Sequence, residues 1–118
     1  MAQPIDAPVK TCLVRPATVE DLPVLVAMGT EFLTTTGYAA HLTPNSKAMW
    51  RTGYQVLDAG GLFVGEQDGT VAGMIGLICY PHPWSGETVA TELFWFTRPA
   101  ARGRLGVQLL RRAEGWAR

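Results

Sequence analysis

Between Phe94 and Leu110 an apolar run, Phe94-Trp95-Phe96-Thr97, gives way to a turn of arginines and glycines and then to a helical pattern. The turn is Arg98-Pro99-Ala100-Ala101-Arg102-Gly103-Arg104-Leu105-Gly106-Val107-Gln108. A helix start leaves backbone N–H groups without internal partners, and the helix dipole adds positive potential there. Such a terminus binds anions, phosphate above all. Gly103 and Gly106 let the backbone approach a phosphate without a Cβ in the way. Arg102 and Arg104 add charge-assisted hydrogen bonds. The pattern is neither a dinucleotide fingerprint nor a P-loop, because the three-glycine spacing and the Gly-Lys-Ser/Thr ending are both absent.

Other residues could carry proton chemistry. Glu92 is the one carboxylate in the apolar segment Thr88–Thr97, where burial would raise its pKa and suit it to act as a base. Tyr80 and His82 flank the end of another apolar segment, and His41 precedes Pro44 in a polar stretch. Tyr80 reads equally as packing, and the two histidines as loop residues. Cys12 and Cys79 sit in apolar segments and read as two buried thiols. They have no close Cys/His spacing, so no metal site is expected. Trp84, Trp95 and Trp116 read as core or cleft lining.

The elements that must position these groups follow from punctuation and periodicity. Thr11–Arg15 is β-prone, and Pro16-Ala17 breaks it. Thr18 makes an N-cap, and Leu22, Leu25, Val26, Met28, Phe32 and Leu33 recur at helical spacing to about Thr34. Pro23 is tolerable only near the start of that helix. Thr43–Ser46 signals a second helix, which ends at Ala59-Gly60-Gly61. Leu62–Glu66 and Thr70–Tyr80 are strands joined by an Asp68-Gly69 hairpin. The two glycines of the second run, Gly73 and Gly76, mark close approaches or a bend. Pro81–Gly86 is a loop, Thr88–Thr97 a further strand, and Leu105–Arg118 a helix with Leu109, Leu110, Ala113 and Trp116 on one face. The order β-α-α-β-β-β-α predicts one α+β domain over residues 1–118 with a mostly antiparallel sheet.

Composition agrees with a single globular domain: 118 residues, 47% hydrophobic and 17% charged. No apolar run approaches the ~20 residues of a membrane helix. The N-terminus, Met1–Lys10, has no secretory pattern and reads as a loose lead-in, so the cytoplasm is the expected compartment. Residues 1–97 hold four bases against nine acids, a balance of −5, and residues 98–118 hold six arginines against Glu114, a balance of +5. That excess suggests an anionic partner. Nucleic acid is disfavoured, because the arginines cluster on one turn and helix without interleaved exposed aromatics.

Taken together, the segments resemble the GNAT superfamily of N-acetyltransferases over essentially the whole chain. Val14–Leu22 resembles that family's opening strand and first helix, and Leu62–Tyr80 its second and third strands. Glu92–Pro99 resembles its fourth strand, and Arg102–Leu110 its pyrophosphate loop and third helix. The loop departs from the family's Gln/Arg-x-x-Gly-x-Gly/Ala form: with Gly106 central, Gly103 stands at the Gln/Arg position and Gln108 at the last small one.

The resemblance implies acetyl-CoA as co-substrate. Its pyrophosphate would rest on the N–H groups of Arg104, Leu105, Gly106, Val107 and Gln108, beside Arg102 and Gly103. Its pantetheine arm would lie along Phe94, Phe96 and Thr97, with the N–H near Phe96 as oxyanion donor. It implies acetyl transfer to a primary amine, on a small molecule or a protein, by direct attack in a ternary complex, with Glu92 and Tyr80 as catalytic candidates. The family's fifth strand, fourth helix and last strands have no counterpart here, so the expected sheet is unfinished and a homodimer is possible. The alternative reading is an inactive GNAT-like module that binds CoA or a protein.

Overall fold

Strand β1, Cys12–Pro16, leads into a short 3-10 turn at Val19–Asp21 and then helix α1, Leu22–Thr35. Helix α2 is Ser46–Asp58; strands β2, β3 and β4 are Leu62–Gln67, Thr70–Pro81 and Thr88–Thr97; helix α3 is Arg104–Trp116. These come from a computed structural model, which describes residues 11–37 and 40–118. The lead-in Met1–Val9 lies outside the described residues.

Local signals account for the boundaries. The Thr18 N–H donates to Asp21 Oδ2 at 2.7 Å and the Asp21 N–H to the Thr18 carbonyl at 3.0 Å, which closes the turn before α1. Pro23 falls at the second position of α1, where no helical N–H partner is required. Asn45 caps α2 by accepting the Ala48 N–H at 3.0 Å. Asp68 and Gly69 have φ of 53° and 82°, the left-handed pair that a two-residue hairpin needs.

The sheet is antiparallel throughout, in the order β1-β2-β3-β4. Its two faces follow the period-2 alternation of the strands. Leu62, Val64, Met74 and Phe96 pack beneath α1 and α2 with Leu22, Leu25, Met28 and Val56. Phe63, Ile75 and Leu77 pack against Leu105, Leu109 and Ala113 of α3. Burying each large side chain contributes roughly 1.5–3 kcal/mol.

The glycines of β3 are close approaches, as expected: Gly73 lies against Leu109 and Thr97, and Gly76 lies under the Phe94 ring. In the β3–β4 ladder Gly76 faces Phe94 and Leu77 faces Glu92, so Leu93 is an extra residue, a β-bulge.

Three expectations change. Cys79 is exposed and Cys12 half-buried, so they are not two buried thiols. Trp84 is 94% exposed at the β3–β4 hairpin instead of lining a core. Glu92 is exposed. The apolar composition of its strand suggested burial. Yet β4 pairs only with β3 among the described residues, and an edge strand keeps part of its surface in water.

Candidate functional site

The turn after β4 is built from both sides. Arg98 anchors its start: its Nε and a terminal nitrogen donate to the two Glu31 carboxylate oxygens at 3.1 and 2.8 Å. The Arg98 N–H also donates to the Ala72 carbonyl at 2.8 Å. A 3-10 turn at Pro99–Ala101 follows, with Ala101 buried. Arg102 Nε donates to the Thr97 carbonyl at 3.3 Å. Gly103 then takes φ +106°, a conformation that side-chain-bearing residues rarely adopt.

No side chain caps the α3 N-terminus. The first helical hydrogen bond is that of the Val107 N–H to the Gly103 carbonyl, at 3.3 Å. From that residue onward the helix ladder uses the N–H groups. The N–H groups with no helical partner are therefore those of Arg104, Leu105 and Gly106. The N–H of Val107 is taken by the Gly103 carbonyl, and that of Gln108, next along, falls within the helix ladder. The Leu105 side chain is 1% exposed in the core beneath α3, so only its backbone can face a ligand. A Cβ at Gly103 would meet nothing within 4 Å, and one at Gly106 only the Thr97 methyl at 3.8 Å, so the turn's outer surface is open. Arg102 and Arg104 are exposed. Gln108 Oε1 is buried with no hydrogen-bond partner, one turn beyond Arg104.

Along β4, backbone N–H and C=O groups point alternately to the two sides. The Arg98 N–H points toward β3, so that of Phe96 does too, while those of Trp95 and Thr97 face the outer edge. The outward Thr97 carbonyl that accepts from Arg102 agrees with this parity. The Phe96 side chain is buried against Phe32, ring centroids 5.9 Å apart in an edge-to-face arrangement. Phe96 is thus a core residue, and its own N–H is turned toward β3. Phe94 is half-buried over Gly76.

Glu92 and Tyr80 do not come together. Glu92 pairs with Leu77, whose side chain belongs to the α3 face. Tyr80 shares its hydroxyl with Thr91 Oγ1 at 3.1 Å, and Thr91 pairs with Ile78, which packs on the α1/α2 face. Paired residues present side chains to the same face, so the two candidates lie on opposite faces. His82 Nδ1 accepts the N–H groups of Trp84 and Ser85 at 3.1 and 3.3 Å and shapes the hairpin.

Sequence reading missed one constellation. Arg15 lies between Asp21, at 2.8 and 3.0 Å, and Glu66, at 2.6 Å. The Arg15 guanidinium, and then the Thr18 N–H, hold the buried Asp21 carboxyl below the usual carboxylate range against the opposing effect of burial. Asp21, then Glu66, hold Arg15 firmly charged. This cluster ties β1, β2 and the start of α1 together. Among the described residues no group of three or more His, Cys, Asp or Glu could hold a metal. No helix among them is long and apolar enough to cross a membrane.

An edge strand runs through a bulge into an open, uncapped helix start, which presents free backbone N–H groups to an anion. Residues 28–118 match the model of the acetyltransferase (GNAT) family, and the chain belongs to that family. The family's members transfer acetyl groups and use acetyl-CoA as co-substrate.

Solved structures share the fold. A predicted acetyltransferase of Clostridium acetobutylicum, crystallised with acetyl-CoA, is 20% identical with a TM-score of 0.70, over 91% of this chain and 73% of that one. An integron cassette protein from the mobile metagenome of Cole Harbour Salt Marsh is 25% identical with a TM-score of 0.75, over 87% and 68%. An aminoglycoside N-acetyltransferase in complex with CoA is 16% identical with a TM-score of 0.75, over 95% and 72%. A search of curated proteins finds no match to this chain.

Proposed function

We propose that this chain binds acetyl-CoA at the β4–α3 turn and transfers the acetyl group to a primary amine, on a small molecule or a protein, by direct attack within a ternary complex. The observation that carries the reading is the open first turn of α3, with three N–H groups free of helical partners and two exposed arginines, set at the end of an edge strand. Arg104, Leu105 and Gly106 offer backbone N–H groups to the pyrophosphate, and Arg102 and Arg104 offer guanidinium groups. Gln108 adds an amide with open hydrogen-bonding capacity; a half-turn of its terminal bond presents N–H instead of oxygen. The outward N–H groups of Trp95 and Thr97 suit the pantetheine amides and the thioester oxygen. Acetyl-CoA supplies the activated acyl group.

Glu92 takes the base role. It flanks the Leu93 bulge on the strand that would hold the thioester, and its exposed carboxylate can accept the ammonium proton directly or through one water. Tyr80 lies on the other face, with its hydroxyl already shared with Thr91. That opposite placement favours one second reading: a module that binds CoA without turnover.

The test is thermal unfolding with and without acetyl-CoA, on the wild type and on Arg102→Ala/Arg104→Ala, followed by an amine screen. A ligand that binds only the native state raises its stability, by about 2.7 kcal/mol at a hundredfold excess over Kd. A shift that the double variant loses supports the site, and acetylated product supports the enzyme. Stabilisation without product on any amine supports the module, and no shift at millimolar ligand removes both readings.

A further inference from the structure

Between α1, α2 and the sheet lies a half-open cavity of about 260 Å³. Leu25, Gly29 and Phe32 of α1, Met49 of α2, Met74 of β3 and Phe94 of β4 are among the residues that line it. No charged side chain lines it, and Thr52 carries its one side-chain hydroxyl.

Water finds few hydrogen-bond partners on such a lining, and an apolar cavity of about 150 Å³ already admits benzene. The space is too small for a whole drug-sized ligand, whose pockets run upward from about 300 Å³. It fits a group the size of a phenyl ring with a short chain. A buried ammonium would find no partner there, and an unpaired buried charge is costly. A ligand in the cavity must therefore divide, with its hydrocarbon inside and its charge outside. Phe94 lies at one wall and is also the residue beside the Leu93 bulge, so the cavity abuts the β4 segment assigned above to the thioester. The flexible thioethers of Met49 and Met74 can adjust to different hydrocarbon shapes.

We infer that the cavity is the acceptor's side-chain pocket, and that the chain prefers primary amines carrying an aromatic or branched aliphatic group over polar or polycationic ones. The preference rests on the acetyl-transfer reading above; the binding of an apolar group does not.

The experiment separates the two. The protein is labelled with ¹³C at its methionine methyl groups and titrated with toluene, 2-phenylethylamine and ethanolamine. Toluene and 2-phenylethylamine are expected to shift the Met49 and Met74 methyl signals, leaving buried Met28, which does not line the cavity, in place. Ethanolamine is expected to shift none. Val26→Phe, which fills the cavity from its α1 wall, should lose these shifts while keeping its stabilisation by acetyl-CoA, which establishes that it is folded. In turnover, 2-phenylethylamine should exceed ethanolamine in kcat/KM by at least about tenfold, the low end of what one methylene of pocket contact discriminates.

Absence of shifts at Met49 and Met74, or equal turnover of the two amines, overturns the inference. So does a Val26→Phe variant that alters only the use of hexanoyl-CoA against acetyl-CoA, since the cavity would then hold the donor's chain. Specific binding of 2-phenylethylamine without turnover of any amine supports the pocket and removes the enzymatic reading instead.

Discussion

Arg98 and Glu31, 67 residues apart in the chain, meet in a two-point ion pair with contacts of 3.1 and 2.8 Å. The pair joins the late part of α1 to the residue that ends β4. It therefore couples a helix that walls the apolar cavity to the entrance of the glycine turn.

Both side chains are about one-third exposed, so the pair should contribute ~1 kcal/mol or less to stability. Glu31→Gln is expected to lower Tm by no more than roughly 4–8 °C. Its larger effect should be on the acetyl-CoA-induced shift, because Arg98 loses its orientation beside the turn. A double-mutant cycle with Arg98→Gln checks this, and a coupling energy near zero would show that the two ends are held independently.

Glu92→Gln keeps the shape of the strand and removes the base. We expect kcat to fall about 100-fold or more, with stabilisation by acetyl-CoA unchanged. Tyr80→Phe should change kcat far less, since its hydroxyl is already shared with Thr91 Oγ1. Steady-state kinetics on both variants decide between them; the reverse order would transfer the base role to Tyr80.

Acid stability should depend on Asp21. Its carboxyl has a lower pKa in the folded chain than the unfolded value of about 3.9. The stabilisation is therefore complete above that value and is lost as pH falls through the lower folded value. Urea unfolding between neutral pH and pH 2 should show the decline, and Asp21→Asn should flatten it. Asp21→Asn should also cost about 1.5–3 kcal/mol at pH 7, because it weakens charged hydrogen bonds at a buried site. A variant whose stability falls with acid as steeply as the wild type would assign the effect elsewhere.

Gly61 joins α2 to β2, and a Cβ there would overlap the Leu77 carbonyl oxygen and lie 3.1 Å from the Trp116 ring. That carbonyl belongs to the sheet backbone and cannot swing aside, and the Leu77 N–H is itself bound to the Gly61 carbonyl at 2.8 Å. Gly61→Ala should destabilise by about 1–3 kcal/mol as an overpacked contact, read as a lower denaturant midpoint at constant slope. Wild-type stability in this variant would mean that the helix–strand junction shifts freely.

Much of the fold is legible without coordinates. Asn45, the Asp68-Gly69 pair and Pro99 act on their own few residues of backbone and place their element boundaries within one or two positions; Thr18 instead opens the 3-10 turn, and α1 begins three residues later than that cap predicts, at Leu22. The helical spacing in α3 identifies its buried face, because burial follows a period that the chain itself carries. The glycine turn is legible for the same reason: its free N–H groups come from local helix geometry.

The remaining features depend on partners far apart in the chain. Glu92 looks buried by composition, and only the position of β4 at the edge exposes it. The Leu93 bulge and the opposite faces of Glu92 and Tyr80 are matters of strand register, which no single strand encodes. The Glu31–Arg98 and Arg15–Asp21–Glu66 contacts need three-dimensional closure to bring the charges together. The cavity exists only because α1 and α2 meet the sheet at one spacing. Sequence determined the local pieces and the anion-binding turn, since those energies act over a few residues. Tertiary structure decided which side chains share a face and what space lies between them, since packing is a sum over distant neighbours.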